Sequence, residues 1–366
     1  MIQEEGHIGL LQGVVLLYAV LSAKLFVQYP SVLIDAGGPA AWQATVVMTA
    51  VGLLLFLPMG ALARRFPGKA LYAISEEVAG PVLGFLITLT VTVWLALSVT
   101  VSLRNLTETY ITTLLPNTPP SVLTMVAIGG VAYASYRGVE SLSRTTQILL
   151  PIIIAGLVLL LLFSLPRTDP SRLYPFWGHG VAQTVSGGAF AAGMLADSIV
   201  LLAVGYSFRQ GKILQRAGYL AILLFGLLAT WTVAMLVMTF GAPDAAQQPI
   251  PLFNLAQLIY LGRFVQRMEA VLVMFWFFSM AVRLAALFHA SVICLTGALR
   301  LPYYRPVVFP MAVITMALSM LPEDLVMLIR IMRDWITPLG IGISLVPLLL
   351  LVLALIRGKR GESHAA

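Results

Sequence analysis

Apolar segments recur along the whole chain, separated by short turns that carry charges, prolines or glycines. Most of these segments are close to the ~20 residues that an α-helix needs to cross a bilayer. We predict ten spans, at about residues 8–34, 40–63, 81–115, 121–136, 146–165, 181–207, 218–240, 265–299, 306–321 and 335–356. A short amphipathic helix is predicted at 252–261, outside the bilayer core. The pattern therefore predicts an all-α polytopic membrane protein, with one transmembrane domain over residues 1–366.

The first predicted span carries polar residues and a proline where hydrocarbon should surround a helix. Lys24, Gln28 and Tyr29 precede Pro30, which lacks an N–H and disfavours helical backbone at the residue before it. Backbone groups freed at this depth must be buried in protein or line a cavity, and broken helices form the substrate sites of many secondary transporters. Two interpretations stay open: an ordinary proline kink in which Lys24 reaches a polar neighbour, and a ligand site.

The ten spans divide into two halves, over about 8–165 and 181–356, that have opposite orientations in the membrane. This arrangement is the inverted repeat of many transporters. The first span of each half is interrupted, at Ser22–Pro30 and at Ser186–Gly193, so we predict a central site between them. The glycine pair of the second interruption has another interpretation, because small residues also let membrane helices pack closely.

The charges of the chain lie mainly in short loops and indicate an orientation. The net charge of +7 accompanies a composition that is 60% hydrophobic and only 10% charged, far from that of an ordinary globular domain. If the N-terminus is inside, the inner loops hold thirteen Lys and Arg residues and the outer side holds six. The excess of basic residues on cytoplasmic loops then predicts that both termini are cytoplasmic.

Several classes of protein are not expected from this sequence. Residues 1–6 contain two glutamates and no basic residue, unlike the start of a signal peptide. The lone Cys294 excludes an intramolecular disulfide. The sequence contains no nucleophile–base grouping, phosphate loop or metal-ligand spacing. We therefore expect no enzyme, no cofactor, no metal site and no nucleic-acid partner.

Three charged residues lie near the middle of predicted spans. They are the cations Lys24 and Arg283 and the anion Asp197, and such residues almost always face a partner or a wet cavity. A structural ion pair of Asp197 with either cation is one interpretation. Two cations and one anion leave one positive charge over. Either this surplus charge meets a substrate carboxylate, or Lys24 takes the place of a coupling cation. The residues alone do not decide among these.

Other polar and aromatic positions complete the set of candidates. Arg104 and Glu108 are spaced i, i+4 on one helix face, which favours a self-satisfied pair over a gating role. Trp276 lies mid-span, where its ring either covers a ligand or fills the core. The predicted ligand-binding residues are Ser22, Ala23, Lys24, Gln28, Tyr29, Asn105, Ser186, Gly187, Gly188, Phe190 and Trp276. The predicted charge network comprises Lys24, Asp197, Arg283, Arg104 and Glu108.

The order and spacing of several short stretches resemble a known family, the B subunits of GerA-type spore germinant receptors. This spore germination permease family belongs to the amino acid–polyamine–organocation superfamily. The stretches are Ser22–Pro30 with Ala36–Trp42, Leu103–Glu108 with Leu115–Pro119, Arg137–Glu140 with Arg144, Tyr174–Phe176, and Arg267–Glu269 with Trp276. The resemblance covers nearly the whole chain.

The resemblance implies a LeuT-like fold of ten spans in a five-plus-five inverted repeat. It also implies a small nutrient ligand, typically an amino acid, bound between the first, third, sixth and eighth spans. The implied partners are an A subunit and a lipoprotein C subunit in the spore inner membrane. One departure concerns recognition: the superfamily generally has a glycine-rich break in the first span, whereas this chain has Ser22-Ala23-Lys24.

Three functional hypotheses follow from these observations. The first is a nutrient-sensing receptor subunit, in which ligand binding biases the conformation of a transporter-like fold. The second is a working transporter for an amino acid or related solute, with or without coupling to protons. The third is a scaffold or ion-conducting subunit that has no ligand of its own.

Overall fold

The computed structural model describes residues 7–27, 29–259 and 268–361. Throughout these residues the regular secondary structure is helical, and they contain no β-strand. Seven helical segments are long and apolar enough to cross a bilayer, and three shorter apolar helices cover Leu10–Phe26, Pro120–Tyr136 and Arg305–Ser319. The predicted all-α membrane fold is confirmed. The count of ten spans stays a prediction, because three of the ten correspond to these shorter helices.

Sixteen α-helices follow one another along the described residues, with short 3₁₀ turns and one π-helical turn between some of them. The first half contains α1 Leu10–Ser22, α2 Tyr29–Gly37, α3 Ala41–Arg65, α4 Leu71–Ala79, α5 Pro81–Thr113, α6 Pro120–Tyr136 and α7 Val139–Ser164. The second half contains α8 Val181–Ala191, α9 Val200–Ala203, α10 Gly211–Phe240, α11 Ala242–Gln247, α12 Pro251–Gln257, α13 Met268–Ala298, α14 Arg305–Ser319, α15 Leu325–Ile331 and α16 Thr337–Ile356.

The first span is broken where the sequence predicts. Helix α1 ends at Ser22, a 3₁₀ turn covers Ala23–Phe26, and α2 begins at Tyr29. Pro30 is the second residue of α2, a position at which its missing N–H removes no helical hydrogen bond. The proline therefore starts the second half of the span and does not kink a continuous helix. Gln28 lies outside the described residues.

The sixth span is also broken, but later in the chain than predicted. Helix α8 continues through most of the predicted interruption, to Ala191, and a 3₁₀ segment then covers Ala192–Ile199 before α9. The glycine pair in α8 serves close packing instead. A Cβ at Gly187 would lie 2.7 Å from the Cβ of Ala36, and one at Gly188 would lie 2.4 Å from the carbonyl oxygen of Ala44.

The last span begins earlier than predicted and contains an irregular turn. Helix α15 leads into a π-helical turn at Met332–Ile336, and α16 follows without interruption. A Cβ at Gly340 would lie 2.1 Å from the carbonyl oxygen of Gly193, and one at Gly193 would lie 2.3 Å from that of Thr337. These approaches place the last span directly against the broken part of the sixth span.

Three short helices lie between the spans. Helix α12 corresponds to the amphipathic helix predicted near 252–261, whereas α4 and α11 were not predicted. Two ion pairs involve α4: Glu76 lies 2.5 Å from Arg300, and Glu77 lies 2.5 Å from Lys69. Arg300 and Lys69, which the count of basic loop residues includes, are thus paired with acidic residues of α4.

Candidate functional site

Three buried charged groups meet where the two broken spans come together. Asp197 lies in the 3₁₀ segment of the sixth span, and its Oδ2 is 2.7 Å from Lys24 Nζ and 2.7 Å from Arg283 NH1. Lys24 comes from the 3₁₀ turn of the first span and Arg283 from α13. Asp197, Arg283 and Lys24 are only 1%, 4% and 8% exposed. We call these three residues the ion triad. Asp197 pairs with both cations, whereas the sequence analysis considered an ion pair with only one of them.

The ion triad carries one more positive than negative charge, and backbone oxygens help to accommodate it. Burying an ion costs several kcal/mol unless further hydrogen bonds satisfy it. Lys24 Nζ donates to the carbonyl oxygen of Met194, and Arg283 NH1 donates to that of Val20 at 2.6 Å. The Met194 carbonyl lies in the 3₁₀ segment of the sixth span, and the Val20 carbonyl lies in the last turn of α1. The broken helices therefore supply the acceptors that hold the two cations.

Hydroxyl groups complete the surroundings of the ion triad. Ser98 Oγ donates to Asp197 Oδ1 at 3.3 Å, and Ser102 Oγ accepts from Arg283 Nε at 3.1 Å. Both serines lie on α5 and are spaced i, i+4, so they share one face of that helix. The sequence analysis missed them, although a polar stripe of Ser98, Ser102 and Asn105 on an apolar helix was a signal that could have found them.

Helix α13 presents three polar side chains to the end of α1. Trp276, Ser279 and Arg283 are spaced i, i+3, i+7, which places them on one helix face. Trp276 Nε1 donates to the carbonyl oxygen of Ala23 at 3.3 Å, and Ser279 Oγ lies 3.2 Å from Ser22 Oγ. Backbone and hydroxyl groups at the first break are thus bonded to side chains of α13.

A small cavity adjoins the ion triad. It has a volume of about 20 Å³, enough for roughly one water molecule and far too little for an amino acid. The structure is therefore closed around the site. The lining residues are Lys24, Trp94, Ser98, Val101, Ser102, Met194, Arg283, Met332, Ile336 and Thr337.

The other predicted ligand-binding residues fall into two groups. Ser22, Ala23 and Trp276 lie at the first break, and Asn105 Nδ2 approaches Met332 Sδ at 3.8 Å beside the cavity. These residues lie close to the ion triad, but among the predicted ligand-binding residues that the structure describes, only Lys24 lines the cavity.

The second group lies away from the cavity. Tyr29 donates to Met48 Sδ and packs edge-on against Phe225. Ser186 donates to the carbonyl oxygen of Gln183 within α8, and Phe190 is 39% exposed. Gly187 and Gly188 contact neighbouring helices, as described above. In this closed conformation none of these residues lines the cavity.

The predicted pair of Arg104 and Glu108 is present but is not isolated. Arg104 NH2 lies 2.7 Å from Glu108 Oε1 and also donates to the carbonyl oxygen of Glu323 at 2.9 Å. Glu323 immediately precedes the last span. The pair therefore also ties α5 to the segment before the last span.

We expect Trp276→Phe to destabilise the protein by about 1–2 kcal/mol, because it removes the side-chain hydrogen bond to the buried Ala23 carbonyl. The phenyl ring retains a surface that can pack against Tyr110, which stacks on Trp276 with ring centroids 6.0 Å apart. Thermal unfolding in detergent measures the loss. Trp335→Phe is the matched control, since Trp335 is 67% exposed; equal melting temperatures for the two variants would contradict the role of the indole N–H.

Comparisons with known proteins identify the family and the fold of the chain. The sequence model of a family described as "Spore germination protein" matches residues 7–326. Spore germination protein XB of Bacillus anthracis is 24% identical over 254 residues, 69% of this chain and 71% of its own. Spore germination protein B2 of Bacillus subtilis is 23% identical over 332 residues, 88% of this chain and 89% of its own.

Two solved transporters share the fold at low sequence identity. The structure of MhsT in complex with L-phenylalanine has a TM-score of 0.71 at 14% identity, covering 98% of this chain and 91% of its own. A Na⁺-coupled sialic acid symporter has a TM-score of 0.62 at 14% identity, covering 96% and 78%. The ion triad thus lies at the paired helix breaks of a LeuT-like transporter fold, and the chain belongs to the spore germination protein family.

Proposed function

We propose that this protein is the ligand-sensing subunit of a spore germination receptor and that it binds a small amino acid at the ion triad. The observation that carries the proposal is the surplus positive charge of the ion triad, buried where two broken helices meet. Family membership and the transporter fold support the receptor role. The bound L-phenylalanine of MhsT supports an amino acid as the class of ligand.

The site already contains the two kinds of charged group that an amino acid would bring. The ammonium group of Lys24 donates a hydrogen bond to the Met194 carbonyl, and the carboxylate of Asp197 forms ion pairs with both Lys24 and Arg283. An incoming ammonium group would compete with Lys24 for that carbonyl and for Asp197, and an incoming carboxylate would take the surplus positive charge. Binding then favours a conformation in which the cavity is open, as ligands favour the state they bind best.

The proposal also includes an environment and partners. The chain lies in the spore inner membrane with both termini in the cytoplasm, and it assembles with an A subunit and a C subunit. Its several membrane-spanning helices and its family support the membrane location. The excess of basic residues on one set of loops supports the orientation.

A working transporter is the second candidate function, and the shared fold of the sialic acid symporter favours it. In that case Lys24 would act as a built-in cation, because its ammonium already bridges Asp197 and the Met194 carbonyl of the 3₁₀ segment. A transporter of this kind would not require sodium.

Thermal unfolding of the purified chain with a panel of amino acids tests the binding proposal. A ligand at 100 times its Kd stabilises the folded state by about 2.7 kcal/mol, so we expect a few amino acids to raise the melting temperature by several degrees. Arg283→Gln should lose this response. If no amino acid stabilises the wild type, the protein has no ligand of this class, and the scaffold hypothesis replaces the proposal.

Uptake of a stabilising amino acid into proteoliposomes separates the two candidates. A sensor is expected to show binding without concentrative uptake. Robust concentrative uptake would make the protein a transporter, and equal uptake in sodium and potassium buffers would then support Lys24 as the built-in cation.

A further inference from the structure

We propose that the π-helical turn Met332–Ile336 is the movable wall of the ligand cavity, and that Met332 sets the size of the ligand side chain that the site accepts. This inference rests on the proposed function, because it concerns the ligand of the same site. It assigns a specificity role to the last span, in which the sequence offers no candidate residue.

The cavity beside the ion triad has two unlike walls. One wall is polar and positively charged, with Lys24, Arg283, Ser98 and Ser102. The other lining residues are largely apolar, and we call them the apolar wall. They are Trp94, Val101, Met194, Met332 and Ile336. A ligand whose carboxylate meets the charged wall leaves its side chain to the apolar wall, to which the π turn contributes Met332 and Ile336.

The backbone of the last span fixes where this wall lies. Gly340 and Gly193 approach so closely that neither position has room for a side chain, so this contact resists displacement. One helical turn earlier, the π geometry adds a residue to the turn, and Thr337 Oγ1 donates to the Met332 carbonyl oxygen at 2.9 Å. Single π turns inside α-helices occur frequently at functional sites.

Met332 is the member of the apolar wall best able to move. Its side chain is unbranched and flexible, and the residue is only half-buried. Trp94, by contrast, is 3% exposed. The contact of Asn105 Nδ2 with Met332 Sδ at 3.8 Å is a weak one. Since the closed cavity holds roughly one water molecule, most of the space for a ligand side chain must come from withdrawal of Met332. The site should then accept side chains up to about the size of methionine and exclude larger aromatic ones.

Met332→Ala tests this limit against a panel of amino acids of increasing side-chain size, with Met327→Ala as the matched control. Met327 lies on α15, is 42% exposed and does not line the cavity. We expect Met332→Ala to bind the larger members of the panel about tenfold more tightly than the wild type does, while Met327→Ala keeps the wild-type ranking. An unchanged ranking in Met332→Ala, with binding intact, would overturn the inference and leave the proposed function standing.

A labelling experiment tests the wall without any amino acid. Cys294 is the only cysteine of the chain, so Cys294→Ala provides a cysteine-free background. Met332→Cys and Met327→Cys are then treated with an anionic and a cationic methanethiosulfonate reagent. Charge-lined clefts raise encounter rates by about tenfold or more, so we expect Met332→Cys to react at least tenfold faster with the anionic reagent. Met327→Cys should show no such preference.

The two experiments together distinguish the possible failures. Equal reaction rates of Met332→Cys with the two reagents would overturn the inference that Met332 forms a wall of the charged cavity, whatever the amino-acid panel shows. Charge-selective labelling without stabilisation of the wild type or of Met332→Ala by any amino acid would overturn the proposed function and, with it, the selection of side chains. Charge-selective labelling with a changed ranking supports both proposals.

Discussion

Asp197→Asn is expected to be the most destabilising single substitution at the site, with a loss of about 3–5 kcal/mol. The change leaves Lys24 and Arg283 buried without their counter-charge. Both cations lie 2.7 Å from the same carboxylate oxygen, so they are close neighbours. Two like charges about 5 Å apart repel by roughly 3 kcal/mol at the effective dielectric constant of protein sites. The variant should unfold at a much lower temperature in detergent than the wild type.

A second substitution distinguishes repulsion between the two buried cations from the loss of packing and hydrogen bonds at position 197. Adding Lys24→Met to Asp197→Asn removes one of the two like charges but leaves Arg283 buried without its carboxylate, so we expect it to restore only part of the lost stability. Ser98→Ala is the matched control, since it removes only the 3.3 Å hydrogen bond to Asp197 and should cost about 1 kcal/mol. Wild-type stability of Asp197→Asn alone would show that the ion triad is not under this charge constraint.

The break in the first span could be predicted because its causes are local. Pro30 and the polar residues before it disfavour a continuous apolar helix, and α2 starts at Tyr29. The break in the sixth span has no such local cause. Its 3₁₀ segment Ala192–Ile199 contains no proline. Contacts with distant residues fix it instead, namely the ion pairs of Asp197 and the packing of Gly193 on the last span.

The residues of the ion triad were identifiable one by one, because a charged residue inside an apolar span is costly wherever it lies. Their joint arrangement was not identifiable, since Asp197 meets cations from two distant parts of the chain through one oxygen atom. The glycine pair of α8 shows the opposite case. Its sequence is compatible with a break and with close packing, and only the approach to Ala36 and Ala44 distinguishes them.

The last span shows why the cavity wall was missed altogether. A π turn has no clear sequence signature, and Met332 and Ile336 are ordinary residues of an apolar helix. They become part of the site only because Gly193 and Gly340 bring the sixth and last spans together. Knowledge of the site therefore required the packing of helices, which short sequence patterns do not encode.

Lys24→Ala is expected to separate folding from ligand response. The variant keeps the ion pair of Asp197 with Arg283 and its 2.7 Å contact, so the remaining charges balance. The Met194 carbonyl loses its donor, but the vacated space adjoins the cavity and can admit water to that carbonyl. We therefore expect a loss of only about 1–2 kcal/mol in stability, much less than for Asp197→Asn.

The ligand response of Lys24→Ala should fall much further than its stability. Without Lys24 the ion triad has no surplus charge, and a hydrogen bond to a charged group contributes about 1.5–3 kcal/mol. The affinity for a carboxylate ligand should then drop by about 10- to 100-fold, measured as the concentration of amino acid that gives half the maximal thermal stabilisation. Lys24→Arg keeps the positive charge and should retain more of the affinity. If Lys24→Ala keeps the wild-type affinity, the surplus charge plays no part in ligand binding. Arg283 would then bind the ligand carboxylate even though Asp197 neutralises its charge.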